Sequence, residues 1–182
     1  MRVSPDISGQ AFALTVLTPI AHGELDALRA YLEGLRDHDP RGPLARLPRT
    51  HFGRWVIVPG FIPEGEREPD QLSAPHLLFT ACFDGKLDSY LAELGTTLAR
   101  EADEIWGRCA GCPRPAVGAA LTDYLMAHRI KTGFFVAAYG EATVPKVRAA
   151  LAQREALIAF AQEAQGMDDA TRHSEFLARF GS

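Results

Sequence analysis

The chain has 182 residues, 47% apolar and 23% charged, with a formal net charge of -4. That is enough length for one domain with a real core, and the balance is ordinary for a globular protein in water. The acidic surplus argues against a partner held by phosphate neutralisation, so nucleic acid is not expected.

No run approaches the roughly 20 apolar residues of a membrane-spanning helix, so no membrane is expected. The opening Met1-Arg2-Val3-Ser4-Pro5-Asp6 lacks the basic-then-apolar pattern of a secretion signal. Three cysteines make no disulfide framework, and a cytoplasmic location is the expectation.

Residues 1–10 read as a loose polar lead-in. Residues 12–20 are mostly apolar β-formers, the pattern of a central strand covered on both faces. Pro19 ends its pairing. The period then changes: Leu25, Leu28, Leu32 and Leu35 recur at helical spacing. The proline-rich run from Asp39 to Pro43 stops that helix.

Residues 50–58 predict a strand that carries His51, Arg54 and Trp55. Strict alternation puts His51, Gly53, Trp55 and Ile57 on one face, and Phe52, Arg54, Val56 and Val58 on the other. Residues 59–70 read as a mobile hairpin connection rich in Pro, Gly and charge, and the residues leave open whether the loop at 59–75 orders over a ligand. Residues 75–85 predict the partner strand, and Asp84 reads as the cap of the helix that follows.

That helix takes its stripe from Leu87, Tyr90, Leu91, Leu94, Leu98 and Ala102, with Ile105 and Trp106 extending it. A shorter helix follows through Val117, Leu121, Tyr124 and Leu125, with His128 on the same stripe. Residues 132–139 read as a further strand ending at Tyr139. A last helix is expected from Val144 to about Gln165, stopped by Gly166, with a short helix in the tail through Phe176, Leu177 and Phe180.

Strand, helix, strand, strand, helix, strand is the ferredoxin-like βαββαβ order, an α+β antiparallel sheet with additional helices before and after its last strand. The expectation is a single domain over residues 1–182, with the core at about 11–160 and a helical extension at about 143–182. Both faces of the strands carry large apolar side chains, so the face away from the helices needs a cover. A second copy of the chain supplies it in a homodimer; the extra helices are the competing cover.

Four residues stand out as catalytic candidates. Arg54 offers a bidentate grip on a carboxylate, or serves as an edge charge. His51 shares its strand but points the other way unless a bulge intervenes. His128 reads either as a ligand or as a helix-end histidine facing free carbonyls. Tyr139 offers a phenol or packs. No metal site is expected: Cys109 and Cys112 form one CxxC with no second pair, after a helix rather than opening one.

The element order resembles the dimeric α/β-barrel superfamily, which includes antibiotic-biosynthesis-type monooxygenases, chlorite-dismutase-like haem proteins and dye-decolourising peroxidases. Thr50-His51-Phe52-Gly53-Arg54-Trp55, residues 78–85 and Lys131-Thr132-Gly133-Phe134-Phe135 resemble segments of uncharacterised bacterial proteins of that kind. The resemblance implies a small-molecule-binding protein, with haem peroxidase-like or cofactor-free monooxygenase-like oxidative activity. In the haem version, His128 is the implied axial ligand, with His51 and His76 as the alternatives. In the cofactor-free version, an apolar or carboxylate-bearing small molecule sits in a cavity with those four residues. A non-catalytic dimerisation or accessory module with a filled core is the alternative.

Overall fold

A computed structural model describes residues 4–38, 40–59 and 74–181. The chain divides into two compact units, Met1–Val144 and Pro145–Ser182, and each is described by itself. Most of the connection between β3 and β4, residues 60–73, lies outside the described residues.

The first unit is a mixed α+β structure built on a five-stranded antiparallel sheet. Its elements are β1 (Ile7–Ser8), β2 (Ala11–Pro19), α1 (Leu25–His38), a single 3-10 turn (Pro43–Arg46), β3 (Thr50–Val58), β4 (His76–Asp84), α2 (Leu87–Thr97), α3 (Ala99–Trp106), α4 (Gly118–Ala127) and β5 (Arg129–Ile130). The strands run in the order β1-β2-β4-β3, with β5 also paired to β2.

Period-2 alternation sorts the strand residues onto two faces. Phe12, Leu14 and Val16 of β2 and Leu77, Phe79 and Phe83 of β4 turn towards the helices and are buried. They pack with Leu28, Leu91, Leu94, Ile105, Trp106, Leu121 and Leu125 in one continuous core. Its aromatic centre is ordered: Trp55 stacks on Phe79 at 5.3 Å, and Trp106 meets Phe79 edge-on at 5.2 Å. A Cβ at Gly53 would meet the end of the Leu44 side chain, which would have to shift.

Three local expectations change. The single helix after β4 is two, broken at Leu98, whose backbone (φ -110, ψ 28) leaves the helical range. Residues 4–10 are not loose. Gly9 turns with φ 61, β1 pairs with the start of β2, and the buried Asp6 carbonyl accepts the Ala13 N–H at 2.8 Å.

The expected strand at 132–139 is absent, and β1 is the physical reason. The edge of β2 from Ala11 to Ala13 is already hydrogen-bonded to residues 6–8, so residues 132–136 find no ladder to join. β5 pairs only with Thr15 and Val16, and the Asp6 carboxylate then takes the Thr132 N–H at 2.9 Å. Arg129 closes the seam with an ion pair to Asp6. Burial alone would raise the Asp6 carboxyl, but the Thr132 N–H and the Arg129 charge outweigh it and hold its pKa below the usual value.

The helix α5 (Val144–Glu163) starts at the last residue of the first unit; the second unit holds the rest of it and α6 (Asp169–Phe180). Gly166 ends α5 with φ 96, and Asp168 caps α6 by accepting the Ala170 and Thr171 N–H groups. Phe160 is buried against Phe176 and Phe180, and Arg179 pairs with Glu163 at 2.6 Å. No helix among the described residues is long and apolar enough to cross a membrane.

Candidate functional site

The face of the sheet away from the core is the candidate site. Strand register lays its residues out in rows. Ala13, Cys82 and Phe52 lie side by side across β2, β4 and β3; next come Thr15, Thr80 and Arg54; then Leu17, Leu78 and Val56. A polar row is thus flanked by two apolar ones. Phe52 is 78% exposed, and Val56, across the Arg54 row from it, is also exposed. A shallow depression of about 370 Å3 opens between Thr15, Thr80, Cys82, Phe52 and Arg54.

Arg54 is exposed, and its Nε donates to Thr80 Oγ1 at 3.3 Å. That bond fixes the near side of the guanidinium and leaves the terminal nitrogens able to take a carboxylate. The Cys82 thiol is pushed up by burial and by the nearby Asp84 charge, so at neutral pH it is a small apolar group and not a nucleophile.

His51 does not follow strict alternation. The register against β4 shifts between Thr50 and Phe52, which makes His51 the extra residue of a β-bulge. Its Nε2–H donates to Asp84 Oδ1 at 2.8 Å. Asp84 alternates with Cys82 and Thr80, so the bulge brings the His51 ring to the face that bears Arg54. The two residues share that face after all.

Asp84 is only 7% exposed, and its second oxygen accepts the Val144 N–H at 2.7 Å. It does not cap α2, whose first turn has no side-chain cap. It holds the first N–H of α5 instead, 60 residues further along the chain. This role escaped the sequence because a carboxylate beside a helix start reads as the cap of the nearest helix. The bulge has no local marker either: Thr50-His51-Phe52 reads as unbroken strand.

His128 and Tyr139 lie elsewhere. His128 ends α4, and its backbone carbonyl accepts the Leu17 N–H at the β2 edge, so β2 and β4 stand between its strand edge and Arg54. Its Nδ1–H donates to Tyr124 O at 2.8 Å, and its ring lies on that of Tyr124 at 4.3 Å. That is the arrangement of a helix terminus. His128 lines neither the depression around Arg54 nor the helix-side cleft described below, so it is not placed to reach a haem held in either. Tyr139 is 84% exposed.

The CxxC is not activated. Burial pushes the Cys109 thiol up to about 11, and burial with the neighbouring Cys109 and Asp103 pushes Cys112 up to about 12. Among the described residues, no group of three or more His, Cys, Asp or Glu could hold a metal ion.

Fold and site together define a mixed α+β protein whose antiparallel sheet keeps one apolar, arginine-bearing face in the open. Compared with known proteins, the chain matches no family model, no curated protein and no solved structure.

Proposed function

We propose that the first unit is a ferredoxin-like module of the dimeric α/β-barrel kind that binds a small apolar molecule bearing a carboxylate. Two copies pack open face to open face, and the depressions become a closed cavity with Arg54 gripping the carboxylate. The observation that carries this reading is the open face itself: apolar rows across three strands, interrupted by one row of two threonines and Arg54. An exposed apolar patch of this kind marks an interaction surface. The order of β2, β4 and β3, with β5 on the far side of β2, supports the ferredoxin-like reading.

The reading is binding, not turnover. His51 and Arg54 share the face, but His128 and Tyr139 do not join them, and no oxidative step follows from this arrangement.

Two measurements test it. Sedimentation velocity should give a dimer that Val56→Lys converts to a monomer, since a buried lysine on each side costs several kcal/mol. Titration calorimetry with decanoate should show saturable binding to the dimer, weakened about tenfold or more in Arg54→Gln. A monomeric wild-type chain would sink the proposal. A dimer without decanoate binding would leave the assembly module in its place.

A further inference from the structure

A second cleft lies on the helix side, between α1, the 3-10 turn and α3. It has a volume of about 390 Å3, within the range of small-ligand pockets. Its apolar wall is Leu35 and Pro43, and its polar lining is Tyr31, Arg46, Arg100 and Glu101.

The charges there are already sorted. Arg46 is held by Glu101 at 2.6 Å, so those two balance. Arg100 has no ion-pair partner among the described residues, which leaves the cleft one positive charge in surplus. Burial, then the Glu101 and Glu104 charges, keep the Tyr31 phenol protonated, so it is a donor. A planar guanidinium fork and a phenolic O–H on one cleft suit the two oxygens of a carboxylate.

Gly34 is the independent sign. It sits inside α1, where glycine weakens a helix, and the fold gives no reason for it. Its φ is not positive, and a Cβ added there would meet nothing within 4 Å among the described residues. No described neighbouring element needs the missing side chain. What the missing side chain leaves open is the wall of the cleft.

We propose that this cleft binds an aromatic monocarboxylate, with the ring between Leu35, Pro43 and the bare backbone at Gly34, and the carboxylate on Arg100 and Tyr31. The site is separate from the open sheet face and does not depend on the function proposed for it.

Titration calorimetry on the full chain with benzoate tests it, with neutral benzamide as the comparison. Benzoate should bind saturably at one per chain, and benzamide at least about tenfold more weakly. Arg100→Gln and Gly34→Leu should each weaken benzoate about tenfold or more, while Arg54→Gln leaves it unchanged. Arg100 is exposed, so its replacement leaves the fold intact and is the decisive variant. Gly34→Ala should raise the melting temperature, since it restores helix propensity without a clash. No saturable benzoate heat, binding that survives Arg100→Gln, or a lower melting temperature in Gly34→Ala overturns the proposal.

Discussion

The two faces of the sheet are built from the same strands and many of the same residue types, yet they meet opposite fates. Phe79 on β4 is 0% exposed, and Phe52 on the neighbouring strand is 78% exposed. Hydrophobicity alone does not separate them. Helices α2, α3 and α4 cover one face, and no described residue of the first unit covers the row that holds Phe52. An apolar side chain stabilises the chain that buries it; left open, it stabilises a complex.

The sharpest test of that difference is a pair of substitutions. Phe79→Ala empties a site packed by Trp55 and Trp106, and should cost about 3 to 5 kcal/mol in urea unfolding. Phe52→Ala, measured at dilutions where the chain is monomeric, should stay within about 0.5 kcal/mol. Equal losses would mean that the open face is covered within the chain.

Asp84 is where the contrast breaks down: it alternates with the open-face residues but is buried beneath His51 and the start of α5. Asp84→Ala removes a carboxylate that accepts both bonds and should cost about 2 to 3 kcal/mol. A loss as small as that of Phe52→Ala would show that neither bond holds the structure.

Among the buried groups, the smallest loss belongs to the β2 edge. Asp6→Asn should lower stability at neutral pH by about 1 to 2 kcal/mol. Because the folded-state pKa of Asp6 is lowered, its contribution is present above the ordinary value of 3.8 and is lost as pH falls through the folded value. Urea midpoints of the two proteins should therefore differ at pH 7 and converge in acid. A gap that stays constant with pH would remove Asp6 from the acid limb.

Much of this was legible in the residues. The apolar β-forming runs placed β2, β3 and β4, and leucine spacing placed α1, α2 and α4. Gly166 marked the end of α5. Arg54 and His51 were visible as unusual polar groups on a strand, but their relation was not. Only the bulge at His51 puts both on one face, and it follows from the register with β4, not from Thr50-His51-Phe52 itself.

The sequence by itself thus determined where the main strands and helices run, because periods of 2.0 and 3.6 are local properties of the backbone. Tertiary structure alone decided who pairs with whom. Residues 132–139 have the composition of a strand, but β1 reached the β2 edge from the other end of the unit. Asp84 had two helix starts available and holds the distant one. Both outcomes are competitions for a limited set of backbone hydrogen bonds between segments far apart in the chain, and such competitions are settled only when the chain has folded.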